Sequence, residues 1–431
     1  MANLKLAKRD ITFFGKTNFR NQYKRFGIKT EDRRRHIYIV GKTGMGKTNL
    51  LETMAISDIQ KGKGVCILDP HGEFTEKMLD YVPRSRINDV LYFNPADLDY
   101  PIAFNLFEKV QPSYRHLVAS GIMEIFKKIW KDVSWGPRLE YILRNCILTL
   151  LERPQTTLLD VQKLLTNKDY RKRLVLKLKD PVLRNFWQNE FENYPDRFQK
   201  EAIVPIQNKV GQFLTAPLIR NIVGQTKTSF NLREVMDKGK ILILNLSKGK
   251  IGEDNSQLLG AMMITKLYLA AMSRVDIPER ERKDFFLYCD EFQNFATDSF
   301  ASILSEARKY KLNLVIAHQY IDQLSEKLKD SVFGNVGTII SFRVGPEDSE
   351  YLEGEFNSPF ERNDLMNLPK YHIYLKLMVD GTTSHPFSAL SFPSFKAGSI
   401  KGNREKIIKV SRRFYAKEKN KVEAHISKMV G

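Results

Sequence analysis

Cysteine is scarce in this chain of 431 residues: Cys66, Cys146 and Cys289 are the only three, and no two form a Cys-x-x-Cys pair. That excludes a disulfide framework and a zinc ribbon, and it points to a reducing compartment. Long apolar runs are also missing. The nearest candidate, residues 258–272, is only 15 residues long and contains Lys266, against the roughly 20 needed to cross a bilayer. A buried helix is expected there, with no integral membrane segment. The N-terminus lacks the apolar core of a signal peptide, so the expected location is cytoplasmic, with peripheral recruitment to a membrane at most. No internal repeat, low-complexity segment or nuclease constellation is present, which argues against a solenoid, a disordered linker or a self-contained nuclease.

Acid is short at both ends. Residues 1–35 hold 11 Lys/Arg against 3 acids, residues 396–431 again hold 11 against 3, and the net charge of the whole chain is +19. The centre is nearly neutral. Two basic ends on a neutral body suggest contact with a polyanion, either nucleic acid or an anionic membrane surface.

What the sequence does contain is a phosphate-binding loop. Gly41-Lys42-Thr43-Gly44-Met45-Gly46-Lys47-Thr48 follows the apolar run 36–40 and has the form GxxxxGK[ST]. Its glycines let successive N–H groups face the phosphates at the positive end of the following helix. Gly41, Thr43, Gly44, Met45, Gly46, Lys47, Thr48 and Asn49 are therefore expected to surround ATP, with Lys47 reaching the β- and γ-phosphates and Thr48 holding Mg2+.

Short apolar runs bounded by turn residues read as buried parallel strands: 37–40, 65–68, 90–93, 241–246, 285–289, 314–317, 338–342 and 374–377. They alternate with helical patterns, which predicts an α/β fold with a mostly parallel central sheet covered on both faces. Between about 105 and 235 amphipathic helices replace the strands, as in Leu139, Ile142, Leu143, Cys146, Ile147, Leu150 and Leu151. The expected division is a basic segment 1–35, a motor domain in two parts (36–104 and 236–395), an inserted all-α domain 105–235 and a basic tail 396–431, helical in part.

A second acidic motif specifies the chemistry. The apolar run 285–289 ends in Asp290-Glu291, which fits Asp290 holding Mg2+ through water and Glu291 activating the attacking water, hence ATP hydrolysis. The run 314–317 ends in His318-Gln319. Strand ends line the crevice of a parallel sheet, so the Gln319 amide is placed for the γ-phosphate or the lytic water, with His318 as a packing residue. The run 65–68 ends in Asp69-Pro70-His71-Gly72-Glu73. There Asp69 or Glu73 touches the metal's water shell, couples nucleotide state to the bound polymer, or belongs to a tight Pro-x-Gly turn, and the sequence leaves these open.

Together the phosphate loop, LDPHGEF (68–74), WGPRLEYILRNCILTLLE (135–152), NLSKGKIGEDNSQLLG (245–260), CDEFQNF (289–295) and SEARKYKLNLVIAHQ (305–319) resemble the FtsK/HerA superfamily of DNA-pumping ATPases, and within it the TraG/TraD type of conjugative coupling proteins. The resemblance runs from about residue 36 to the C-terminus. It implies a RecA-like P-loop ATPase with a membrane-distal helical domain, a hexameric ring, hydrolysis at subunit interfaces and DNA threaded through the centre. It also implies an arginine finger about eleven residues before the strand-end glutamine, the place Arg308 occupies. Two departures from that resemblance are expected: residues 1–35 contain no run that reads as the membrane helices that commonly open coupling proteins, and they leave no room for the β-barrel of classical HerA translocases.

The expected function is an ATP-driven DNA translocase in conjugative or mobile-element transfer, with a relaxase or secretion-system partner and the helical insert recognising the DNA-protein cargo. Three alternatives remain: a HerA-like pump in repair or phage defence with a nuclease partner, a type IV secretion ATPase acting on protein, and a binding module whose nucleotide site only controls assembly, against which the Asp290-Glu291 pair argues.

Overall fold

A computed structural model describes residues 10–108, 110–130, 135–357, 360–393 and 402–430. The chain divides into two compact units, Met1–Phe93 with Leu232–Ser247 and Lys266–Ser411, and Asn94–Asn231 with Lys248–Thr265 and Arg412–Gly431.

The first unit is built on an eleven-stranded sheet. In chain order its strands are β1 (Ile11–Thr17), β2 (Arg25–Lys29), β3 (Ile37–Val40), β4 (Gly64–Asp69), β5 (Val90–Phe93), β6 (Ile241–Asn245), β7 (Phe285–Cys289), β8 (Leu312–His318), β9 (Thr338–Ser341), β10 (His372–Lys376) and β11 (Phe387–Ser391). Their spatial order is β2-β1-β11-β10-β9-β3-β8-β7-β4-β6-β5. The seven strands from β9 to β5 are parallel. Every residue of β3, β4, β5, β6, β7, β8 and β9 is buried, as expected of strands covered on both faces. Leu50, Met54, Ile67, Ile243 and Tyr288 lie in the core cluster that this arrangement creates.

The last expected strand is real but not parallel. β10 pairs antiparallel with both β9 and β11, and its residues alternate between half-buried and buried. Alternation of that kind marks a strand with one covered face. Of the basic segment 1–35, the described residues 11–29 contribute to the sheet, because β1 and β2 form a hairpin that β11 joins to it. Within the basic tail, the described residues 402–430 are likewise folded. Helices Arg404–Tyr415 and Lys419–Val430 bury Ile407, Ser411, Val422 and Ile426, and Arg404 and Arg412 pair with Asp80 and Asp97. Spacing of three and four placed apolar residues on one face, and the charges occupy the other.

The second unit is helical. In helix Pro137–Glu152, Leu139, Ile142, Leu143, Cys146, Ile147, Leu150 and Leu151 are all buried, and the helix opens on Pro137, whose missing N–H costs nothing at that position. Beyond the expected stretch 105–235, this unit takes in 248–265 and the last helix. Helix Glu253–Met272 holds the apolar run weighed above. With its continuation to Asp276 it is long and apolar enough to span a bilayer by composition, and about half of it is buried inside the protein.

Candidate active site

The site forms at the C-terminal ends of three adjacent strands. β3 lies beside β8, and β8 beside β7, so the phosphate loop after β3, Gln319 after β8 and Asp290-Glu291 after β7 share one edge. Backbone bonds hold the loop: Lys42 N donates to Arg343 O at 2.8 Å, and Met45 O accepts from Tyr371 N at 3.0 Å. Gly46 is fixed by its surroundings, since φ is 122° and a Cβ would lie 2.8 Å from the Tyr371 ring. Only glycine meets both conditions.

Lys47 opens the helix Lys47–Gln60 and is buried. Its ammonium donates to Gly41 O at 2.5 Å and to Lys42 O at 3.3 Å, so the loop's own carbonyls occupy the donors that phosphate oxygens would take. Burial lowers its pKa, against the opposing charges of Glu291 and Asp290. Thr48 Oγ1 donates to Asp290 Oδ2 at 2.7 Å. Burial pushes the Asp290 carboxyl up to about 6; the Thr48 bond works against that shift, and the neighbouring charges of Glu291 and Asp69 add to it. Asn49 donates to Phe392 O at 2.5 Å.

Glu291 sits just past the end of β7 with φ 46°, a left-handed conformation that costs a non-glycine residue free energy. Both of its carboxylate oxygens are held. Oε1 accepts from Gln319 Nε2 at 2.9 Å, and Oε2 accepts from Gln293 Nε2 at 2.7 Å. His318 is buried and bonded to the Tyr38 hydroxyl. Burial drives its pKa down to about 3, so the ring is neutral at ordinary pH and packs against Phe292.

Lys47, Thr48, Asp290, Glu291 and Gln319 thus converge. Arg308 stands apart, exposed on the turn Ala307–Tyr310. Asp69 is used by the backbone: Oδ1 accepts from His71 N at 2.8 Å and Oδ2 from Thr75 N at 3.2 Å, which closes the turn into helix Glu73–Tyr81. Glu73 and His71 are exposed.

Two features escaped the sequence reading. Gln293 is one: it lies within the CDEFQNF motif, but nothing in its spacing gave it a role at the site. The other is a buried network behind the site. The Arg33 guanidinium is bidentate to Asp58 at 2.9 and 2.8 Å, donates to Tyr288 OH at 2.7 Å, and lies over the Phe286 ring at 3.8 Å. Tyr288 donates in turn to Asp58 Oδ2 at 2.7 Å. Helix Lys47–Gln60 is thereby tied to β7 at both ends, by Thr48 to Asp290 and by Asp58 to Tyr288.

The donor set fits Mg2+ beside a nucleotide. A hydroxyl and a carboxylate lie in hydrogen-bond contact, and the carboxylate is buried at a pKa that a cation would lower. Among the described residues no cluster of three His, Cys, Asp or Glu forms; Mg2+ needs none, because it takes most ligands from phosphate and water.

Residues 24–353, well over half of the chain, match the type IV secretion-system coupling protein DNA-binding domain. The chain belongs to that family. As a coupling-protein relative it is of the TraG/TraD type within the FtsK/HerA-like superfamily, and its fold is that of the RecA-like P-loop ATPases with an all-α domain. Among solved structures it is similar to the plasmid coupling protein TrwB in complex with ADP and Mg2+, at 15% identity and a TM-score of 0.61, over 92% of this chain and 95% of that one. The unbound bacterial conjugative coupling protein TrwBdeltaN70 gives 14% identity and 0.59, over 88% of each chain. VirB4 of Thermoanaerobacter pseudethanolicus gives 13% and 0.59, over 90% of this chain and 96% of that one. No curated protein matches this chain.

Proposed function

We propose that this chain is an ATP-driven DNA translocase of conjugative or mobile-element transfer, working as a hexameric ring with Mg2+. One observation carries the reading: a phosphate loop, an acid bonded to the loop threonine and a glutamate held by the strand-end amide of Gln319 share one sheet edge, in a chain of the coupling-protein DNA-binding family.

On ATP binding the Lys47 ammonium exchanges Gly41 O and Lys42 O for the β- and γ-phosphates, and the loop N–H groups close on them. Thr48 and Asp290 would hold Mg2+, which supplies charge neutralisation across the phosphates when bound. Glu291 accepts a proton from the attacking water. Gln319 gives up its bond to Glu291 for the γ-phosphate or that water, so that phosphate loss is felt at the end of β8. Arg308, exposed and outside its own cluster, enters the site of an adjoining copy.

Exposed basic residues of the C-terminal helices, among them Lys406, Lys409, Arg413 and Lys421, support attraction to a phosphate backbone independent of base sequence. The test is ATP turnover by the purified chain with single- and double-stranded DNA over a range of salt. Turnover should rise with DNA, and the effect should fade as salt rises. Turnover indifferent to either DNA at every salt concentration would overturn the translocase reading and favour a secretion ATPase acting on protein.

A further inference from the structure

The β1–β2 hairpin ends in a tip that the catalytic reading leaves unused. Residues 19–25 are all exposed, and they include two large aromatic rings, Phe19 at 67% and Tyr23 at 55% exposure. From residue 16 to 25 the sequence reads KTNFRNQYKR, with four basic residues and no acid. Single exposed rings are ordinary on a protein surface, but two on one turn among four cations give a local surface that is at once apolar and basic.

The tip is also built rather than loose. Thr17 N donates to Lys24 O at 2.9 Å, Gln22 N to Phe19 O at 3.0 Å, and the Thr17 hydroxyl bridges the two arms by accepting from Lys24 N at 3.0 Å and donating to Gln22 O. Arg20 and Asn21 are held at φ 50° and 59°. The left-handed region tolerates asparagine but disfavours arginine, and such strain persists only where the surrounding structure imposes it.

From this geometry we infer that the hairpin tip docks on an anionic membrane surface, Phe19 and Tyr23 entering the boundary between headgroups and acyl chains while Lys16, Arg20, Lys24 and Arg25 meet lipid phosphates. Aromatic rings with a cationic collar suit that boundary, where one end is apolar and the other wet. Single-stranded nucleic acid is the competing partner, because it too binds aromatics among cations by stacking bases on open ring faces. Here one face of each ring is already covered. Lys16 Nζ lies 4.8 Å from the Tyr23 centroid, and the Arg20 guanidinium lies 5.1 Å from that of Phe19. A membrane interface accepts that arrangement as it stands; base stacking must displace it.

The experiment is co-sedimentation of the full chain with vesicles of phosphatidylcholine alone or mixed with phosphatidylserine. Binding is expected only to the mixed vesicles, falling with salt, and the double variant Phe19→Ala/Tyr23→Ala should lose about tenfold in affinity. A Phe19→Trp variant should show a blue shift of emission, beyond any in the parent, on mixed vesicles only. ATP turnover with DNA should not change in either variant, which separates this surface from the motor. No binding of the parent chain, equal binding by the double variant, or a single-stranded oligonucleotide that competes for the tip and cross-links to Tyr23 would each overturn the inference.

Discussion

The Thr48 hydroxyl donates to Asp290 at 2.7 Å across 242 positions of sequence, and that bond joins the phosphate loop to the acidic strand end. Asp290 carries its proton up to about pH 6 because burial penalises the anion. The native carboxyl therefore holds a proton more tightly than the unfolded chain does. Its contribution to stability falls as pH rises from the ordinary carboxylate range to about 6. Binding of Mg2+ with nucleotide needs the anion, so affinity should drop about tenfold per pH unit below about 6. Calorimetry in buffers of different ionisation enthalpy should register proton release on binding, and Asp290→Asn should abolish that release as well as weaken binding.

Lys47→Ala should lower nucleotide affinity by on the order of 100-fold or more, since the buried ammonium of the phosphate loop is replaced by nothing. Fluorescent nucleotide titration reads this directly. Retained affinity would leave Lys47 bound to the loop carbonyls, as a structural group.

Glu291→Gln should keep ATP binding while turnover falls about 10^2- to 10^4-fold. The substituted amide keeps one of the two bonds as it stands and regains the other when the Gln293 or Gln319 amide turns to offer its oxygen, so the fold should be unaffected. Equal turnover in variant and parent would remove Glu291 from water activation.

Arg308→Ala should reduce turnover by about 10^3- to 10^5-fold if the guanidinium completes a neighbouring site, with ATP affinity per subunit preserved. Rings mixed with the Lys47→Ala chain should regain part of the activity. Confirmed mixed rings that stay silent would place the arginine's role within one subunit.

Arg33 and Asp58 are both fully buried, so removing one strands the other. Asp58→Ala should destabilise the first unit by about 3–5 kcal/mol, and the double replacement Arg33→Met/Asp58→Leu should cost far less. Urea unfolding compares them, and a small loss in the single variant would mean that water reaches Arg33.

Much of this was legible beforehand. The buried parallel strands appear as unbroken apolar runs, and the loop, Asp290-Glu291 and Gln319 each follow such a run directly. The β1–β2 hairpin was not legible, because Thr12 and Phe14 point inward among exposed and charged neighbours and the apolar signal is diluted. Nor was the direction of β10, since alternation in one strand does not say which strands flank it. Asp69 shows the remaining kind of gap. Its position at a strand end suited a metal's shell, and only the bonds to His71 N and Thr75 N assign it to the turn.

By itself the sequence determined the phosphate loop, the acidic strand end and the helical insert, because local spacing and backbone sterics decide each over a few residues. Tertiary structure decided what those pieces do together. β8 had to lie between β3 and β7 before Gln319 reached Glu291, and Arg33 had to be excluded from water before Asp58 and Tyr288 became its necessary partners. Contacts between residues tens to hundreds of positions apart depend on strand order and burial, and no local pattern encodes either.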